Sequence, residues 1–111
     1  MSGATRALLL AVAGVAVGLP MLRSVAADPP HSHEVVIEGL KFLPENIVVH
    51  RGDVVVWKNK DFFPHTATAS GAFDSGPIEA GKSWRFVAAK PGTFAYICSL
   101  HTTMKGTLRV E

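Results

Sequence analysis

The chain has 111 residues, with 11 Lys and Arg, 9 Asp and Glu, and one cysteine. We expect an N-terminal segment carrying Arg6 and Arg23 to be removed, which leaves residues 28–111 with nine charges of each sign and the length of one domain. This balance, without a basic cluster, argues against binding to nucleic acid or a membrane surface through net charge. A single cysteine excludes a disulfide within the chain and suggests a reactive thiol, an intermolecular bridge or a metal ligand.

Residues 1–27 have the pattern of a cleaved signal peptide. A positively charged start is followed by an apolar run over residues 7–19 and by a small-residue cleavage signature, VAA, at residues 25–27. The run is shorter than the roughly 20 residues of a membrane-spanning helix, and Pro20 and Arg23 interrupt its extension. We therefore expect an exported protein, periplasmic if the source is Gram-negative. Retention of the segment as a membrane anchor is the alternative.

Residues 28–33 (DPPHSH) are expected to form a flexible lead-in to a folded domain over residues 34–111. His31 and His33 are interpreted as residues of a solvated tail, because the two prolines before them supply no backbone N–H for a terminal metal clasp. His50 ends a predicted strand and is interpreted as a surface residue that binds no metal.

The rest of the chain reads as short strands separated by turn signals, with no convincing helix. The strongest strand is VVVWK, because β-branched and aromatic residues favour strands. Turn signals at intervals of about 8–12 residues predict a β-sandwich or barrel. Trp57 and Trp84 lie in strand-like runs and are predicted to be core residues. The predicted strands cover residues 34–39, 46–50, 54–58, 83–88, 94–97 and 107–110.

The segment TFAYICSLHTTMKGTL contains the residues with the clearest chemistry. Cys98, His101 and Met104 are spaced Cys-x-x-His-x-x-Met on a tight loop between two strand-like runs, the second beginning at a turn predicted at Lys105-Gly106. A loop held between two strands can direct several side chains to one point. A lone Cys-x-x-His motif is weak evidence, and a hairpin with a buried thiol and a structural histidine is the alternative interpretation.

The combination of ligand types favours copper. Thiolate and thioether are soft ligands, imidazole is intermediate, and a cysteine with two histidines and a weak methionine is typical of a blue-copper electron-transfer site. The second histidine must come from elsewhere, and His65 in DFFPHTATA is the candidate.

These segments resemble the cupredoxins, the small blue copper proteins that include the plastocyanins and azurins. The resemblance covers the chain from about Phe42 to Val110, and the loop spacing is most similar to that of the amicyanins. The motifs that carry it are Gly52-Asp53, Trp57-Lys58-Asn59, Pro64-His65, Phe73-Asp74-Ser75-Gly76, Pro91-Gly92-Thr93-Phe94-Ala95-Tyr96-Ile97-Cys98 and Met104-Lys105-Gly106.

The resemblance implies an all-β, cupredoxin-like Greek-key β-sandwich of about seven to eight strands. It implies one type 1 copper ion that cycles between Cu(I) and Cu(II), bound by His65, Cys98, His101 and Met104. The implied function is a one-electron shuttle, monomeric, that docks transiently with a dehydrogenase donor and a cytochrome or other acceptor. Electrons are expected to pass through the His101 edge, inside an apolar ring whose candidates are Phe62, Phe63, Pro64 and Leu100, with Thr102 and Met104 nearby.

Two positions depart from the family pattern. Thr66 stands where the residue after the first ligand histidine is often Asn, whose side chain tethers the ligand loop. Thr102 stands where the residue after the second histidine is often Pro. These changes bear on the potential and the loop rigidity.

Two other function classes remain as alternatives. A copper carrier that releases its ion to a partner is the runner-up, although a cysteine with two histidines suits retention of copper better. An enzyme is not expected, because copper oxidases and nitrite reductases need further histidine clusters and no His-x-His pair lies within residues 34–111.

Overall fold

The computed structural model describes residue 3, residues 11–20 and residues 29–111. The described residues contain no helix, and so none that is long and apolar enough to cross a membrane. The charged start and the cleavage signature of the expected signal peptide lie outside the described residues. The described strands are β1 (Ser32–Glu38), β2 (Lys41–Leu43), β3 (Asn46–Val49), β4 (Val54–Asn59), β5 (Thr68–Ala69), β6 (Phe73–Asp74), β7 (Ser83–Val87), β8 (Gly92–Cys98) and β9 (His101–Val110).

The strands form two mixed sheets. One has the order β2-β1-β4-β7 and the other the order β3-β9-β8-β5-β6. β1 pairs in parallel with β4 and β3 with β9, whereas the other pairs are antiparallel. The prediction of an all-β sandwich is therefore confirmed, with nine strands in the described residues, two of which are only two residues long.

Alternation along β4 explains how the sheets bury one face. Val55, Trp57 and Asn59 are buried, whereas the residues between them are half-buried or exposed, as expected for side chains that point to opposite faces. Trp57 is fully buried, and its ring centroid lies 5.4 Å from that of the half-buried Trp84 on β7. The remaining buried apolar core consists of Val35, Ile37, Phe42, Val49, Ala67, Ala69, Phe73, Ile78, Ala88, Tyr96, Cys98, Met104, Leu108 and Val110.

β9 runs without a turn through the Lys105-Gly106 pair, so the turn predicted there is wrong. Gly106 lies opposite Tyr96 in the β8–β9 register. A Cβ atom at Gly106 would lie 2.3 Å from Tyr96 Cζ, well inside van der Waals contact. Gly106 is therefore required because the Tyr96 ring approaches the backbone closely, and not because the chain turns there.

The N-terminal end of the sandwich also differs from expectation. Ser32 and His33, which we expected in the lead-in, begin β1 and pair with Val54 and Val55 of β4. His33 Nε2 lies 2.9 Å from Asp53 Oδ2, which fixes this start of the strand. The short strands β2, β5 and β6 were not predicted, because two or three residues are too few to show a periodic pattern.

Candidate metal centre

Three segments of the chain meet at one end of the sandwich: the connection after β4, the end of β8 and the start of β9. His65 lies in the connection after β4, where its backbone N–H and C=O pair with those of Ile78. Cys98 ends β8 and His101 begins β9, so only Ser99 and Leu100 separate two residues that pair across the hairpin. The sheet therefore fixes both ends of a two-residue connection, which is shorter than the loop predicted between Cys98 and Lys105, because His101 and Met104 already lie in β9.

The ligand atoms of the cysteine and both histidines converge. Cys98 Sγ lies 3.6 Å from His65 Nδ1 and 3.9 Å from His101 Nδ1, and the three ligand atoms all lie within 4.8 Å of one another. A metal with bonds of about 2.0 Å to nitrogen and about 2.3 Å to sulfur would hold each nitrogen about 3.5–3.7 Å from the sulfur at tetrahedral or trigonal angles. The two sulfur–nitrogen distances are therefore close to those expected when one metal ion binds these residues.

The types of donor atom favour copper, and the burial of the ligands decides which of them reaches the surface. One thiolate and two imidazoles form the trigonal set typical of blue copper, completed by a weak axial ligand. His65 and Cys98 are fully buried, whereas His101 is half-buried. One ligand edge thus reaches the surface while the other two are shielded from water. Met104, the expected fourth ligand, is buried in β9 three residues after His101.

Asp61 holds the buried histidine in one tautomer. Its Oδ2 lies 2.8 Å from His65 Nε2, and its carboxylate also accepts the amides of Gly39 and Leu40. Burial opposes ionisation of Asp61, but these hydrogen bonds outweigh it and lower the pKa of the carboxyl group from its ordinary value. An ionised carboxylate only accepts hydrogen bonds, so Nε2 carries the proton and the Nδ1 lone pair faces Cys98.

Thr66 joins the two ligand-bearing segments. Its backbone N–H donates to Cys98 Sγ at 3.3 Å, and its Oγ1 accepts the Ser99 amide at 2.8 Å. The hydroxyl of Thr66 therefore makes an interloop tether of the kind that we described for Asn at this position. Thr102 is exposed.

Sequence reasoning missed Asp61 and the structural role of Asn59. The Asn59 amide donates to the carbonyls of Phe63 and Ile78 at 2.8 Å each, and its Oδ1 accepts the Asp61 amide at 2.9 Å. Asn59 thereby shapes the loop that presents the first histidine. An acidic residue four positions before that histidine was the available signal for Asp61.

Exposed apolar side chains lie in the two segments that carry the histidines. Phe62 is 97% exposed, and Phe63 and Leu100 are 43% and 51% exposed. The ring centroid of Phe63 lies 5.2 Å from that of His65 and 5.7 Å from that of His101. Pro64 is half-buried beside them, whereas Met104 is buried and adds nothing to this surface.

The other histidines lie at the opposite end of the sandwich. His31 and His33 flank the start of β4, and His50 is exposed after β3, whereas His65 follows the far end of β4. Asp53 accepts the amides of His31 and His50 and lies within hydrogen-bond distance of the His33 ring. Within residues 29–111, the one group of three or more metal-binding side chains combines His65, Cys98 and His101.

Comparison with known proteins agrees with this geometry. The profile of the cupredoxin-like domain family matches residues 8–110. Amicyanin-alpha of Methylorubrum extorquens is 32% identical over 111 residues, covering 91% of this chain and 88% of the relative. Among solved structures, a copper(I) form of an amicyanin variant superposes with a TM-score of 0.69 at 22% identity, covering 72% of this chain and 82% of that chain.

An enzyme also contains a similar fold. A copper-containing nitrite reductase from Thermus scotoductus superposes with a TM-score of 0.69 at 29% identity. The match covers 77% of this chain but only 23% of the nitrite reductase, so the similarity concerns one part of that larger protein.

Proposed function

The chain belongs to the cupredoxin-like family, and from this membership and the converging ligand atoms we infer that it is a blue copper electron-transfer protein. It binds one type 1 copper ion and exchanges one electron as the ion alternates between Cu(I) and Cu(II). The observation that carries this conclusion is the convergence of His65 Nδ1, Cys98 Sγ and His101 Nδ1 within 4.8 Å at a partly exposed end of the sandwich.

We propose His65, Cys98, His101 and Met104 as the four ligands. The first three are supported by their distances, and Met104 by its burial and its position three residues after His101. Bound copper would supply the one-electron chemistry. The side chains do the rest: Asp61 keeps the proton on His65 Nε2, and the Thr66 amide directs a hydrogen bond at the cysteine sulfur.

These contacts explain how the site exchanges electrons with little movement. His65 and Cys98 are fully buried, so bulk water does not reach them. Their positions are fixed by strand pairing and by hydrogen bonds that do not involve a metal. A ligand set that is held in place before the metal binds reorganises little between oxidation states.

We further propose that electrons pass through the His101 edge to transient partners. The exposed side chains of Phe62, Phe63 and Leu100 give this end an apolar surface, which suits small and short-lived redox contacts. A dehydrogenase donor and a cytochrome acceptor remain proposals based on family resemblance. A monomer and export, with cleavage after residue 27 and a periplasmic location in a Gram-negative source, are also proposals.

An enzymatic role is not proposed. The nitrite reductase similarity spans 23% of that enzyme, and its activity does not transfer to this chain. A copper carrier remains the second candidate from the sequence, but buried His65 and Cys98 favour retention of the ion over release. Slow transfer of copper from the protein to a Cu(I) chelator would support retention, whereas rapid and complete transfer would favour the carrier.

The proposed electron path is tested at His101. The His101→Gly variant, with imidazole added to restore the copper site, is expected to exchange electrons more slowly than the native protein, because the fixed edge to the surface is lost. The Thr103→Ala variant, altered at an exposed residue two positions away, serves as a control that keeps the edge. Native exchange rates in the imidazole-restored glycine variant would contradict passage through His101.

A further inference from the structure

A chain of hydroxyl groups connects the ligand loops to a surface carboxylate. Ser99 Oγ lies 3.0 Å from Thr66 Oγ1, which in turn lies 2.9 Å from Thr68 Oγ1. Thr68 donates to Asp74 Oδ1 at 3.1 Å, across the β5–β6 strand pair. Thr66 is buried, Thr68 is half-buried, and Asp74 is exposed. The chain therefore runs from the site to solvent on one side of the sandwich.

The carboxylate at the end fixes the direction of every hydrogen bond in the chain. An ionised Asp74 only accepts, so the single hydroxyl proton of Thr68 is committed to it. Thr68 Oγ1 must then accept from the Thr66 hydroxyl, whose own proton is thereby used. Thr66 Oγ1 is left as an acceptor, and it receives the Ser99 amide at 2.8 Å and the Ser99 hydroxyl at 3.0 Å.

The segment that carries Asp74 is itself held rigidly. Asp74 Oδ1 also accepts the Gly76 amide at 2.9 Å. Ser75 Oγ accepts the Ala67 amide at 2.8 Å and donates to the Gly76 carbonyl at 2.7 Å. The terminal acceptor is therefore fixed in position relative to Thr66 and Thr68, and its exposure does not leave it free to move away.

Thr66 connects this chain to the sulfur of the site. The same residue that receives the Ser99 hydrogen bonds donates its backbone N–H to Cys98 Sγ at 3.3 Å. Hydrogen bonds to the cysteine sulfur tune the potential of copper–thiolate sites. A donor stabilises the reduced site more than the oxidised one, because the reduced site carries one more negative charge.

We propose that Asp74 is a remote positioning residue for the copper site, and that it acts through Thr68 and Thr66. Its acceptor oxygen orders the hydroxyl chain, so that Thr66 Oγ1 is available to the Ser99 amide and Thr66 N–H stays aligned with the sulfur. In the part of the chain that the structure describes, Asp74 itself makes no hydrogen bond to the proposed metal ligands. The expected change in reduction potential rests on the proposed copper function, whereas the expected ordering of the Ser99 amide does not.

The test replaces the hydroxyl in the middle of the chain. Thr68→Val keeps the shape of the side chain and leaves the Thr66 hydroxyl without its acceptor, and Asp74→Ala removes the terminal acceptor. In the metal-free protein, both are expected to speed hydrogen exchange of the Ser99 amide by about two- to twelvefold, the size expected for one ordinary hydrogen bond. In the copper-loaded protein, both are expected to lower the reduction potential.

Three further variants serve as controls. Thr93→Val makes the same substitution at an exposed position of β8 that is not part of the hydroxyl chain, and it is expected to leave both readouts unchanged. Thr68→Ser restores the hydroxyl, and Asp74→Asn retains an acceptor oxygen, so both are expected to stay near native values. If either Thr68→Val or Asp74→Ala matched Thr93→Val in both readouts, the proposal would be overturned.

The two readouts separate this inference from the proposed function. Failure of the protein to form a blue copper site would remove the potential measurement but leave Ser99 exchange in the metal-free protein as a test. Normal copper chemistry with native Ser99 exchange in the Thr68→Val and Asp74→Ala variants would overturn the positioning role alone.

Discussion

Asp61 and His65 form a carboxylate–imidazole pair, with 2.8 Å between Asp61 Oδ2 and His65 Nε2. The same carboxylate accepts the amides of Gly39 and Leu40 in the β1–β2 turn. Both turn residues have positive φ angles, 61° and 59°, and Leu40 is unusual among residues with side chains in adopting this conformation. The pair thus joins a strained turn in one sheet to a buried ligand at the end of the sandwich.

Replacing Asp61 should weaken copper binding. In Asp61→Asn, an amide NH₂ replaces one of the two carboxylate oxygens. Whichever oxygen is replaced, the NH₂ group then faces an N–H donor, so hydrogen bonds to His65 or to the turn are lost. Loss of a hydrogen-bond partner of a ligand histidine typically lowers metal affinity about 10–100-fold. Competition with a Cu(I) chelator measures this affinity. Glu38→Gln removes an exposed acid from the adjacent strand as a control, and equal affinities for the two variants would contradict the role of Asp61.

Met104 should set the potential as a weak axial ligand. Met104→Leu keeps the buried volume but removes a donor atom and makes the site more apolar, which disfavours the more highly charged Cu(II). We expect the blue colour to persist and the reduction potential to rise, as measured by voltammetry. An unchanged potential in a correctly folded variant would show that the Met104 sulfur does not contact the metal.

Gly106 should tolerate no side chain while Tyr96 is present. The Cβ atom of Gly106→Ala would lie 2.3 Å from Tyr96 Cζ, in a core that cannot yield easily. Overpacking of this kind costs about 1–3 kcal/mol, measured as the free energy of unfolding of the metal-free protein. In a Tyr96→Leu background the same substitution should cost less. An equal cost in both backgrounds would place the strain elsewhere.

Asp53 should make stability depend on acid pH. The amide of His31, the His33 ring and the amide of His50 hold the pKa of the Asp53 carboxyl well below its ordinary value of 3.8. Because the folded state favours the ionised form, this group stabilises the protein above its ordinary pKa and loses that contribution as the pH falls toward the lowered value. Thermal unfolding of the metal-free protein should therefore show a gap between wild type and Asp53→Asn that narrows from about pH 6 to about pH 3. A gap that stayed constant over this range would contradict the assignment.

Much of the fold could be predicted because its strands are long enough to show a pattern. β4 and β8 combine β-branched and aromatic residues with clear turn signals, and the structure has both of them. β5 and β6 are two residues each and exist only through their pairing with neighbouring strands. The Lys105-Gly106 pair resembles a turn locally, but its glycine is explained by the ring of Tyr96, a contact that the sequence does not reveal.

Some parts of the candidate site could likewise be predicted from the sequence, and others could not. Cys98, His101 and Met104 are close in sequence, and their spacing and chemistry carried the prediction. His65 was assigned to them from its type and family context, and the structure brings its ring nitrogen to the cysteine sulfur. The supporting contacts of Asp61 and Thr66 depend on how separate loops pack, and no local pattern gives such distances.

The measurement that tests the copper site most directly is the visible absorption spectrum of the Cu(II)-loaded protein, compared with that of Cys98→Ser. A type 1 site gives an intense blue thiolate-to-copper band that ascorbate bleaches and ferricyanide restores, and that the serine variant lacks. Bound copper with only a weak band, or a band that survives in Cys98→Ser, would contradict ligation by the thiolate and with it the electron-transfer function.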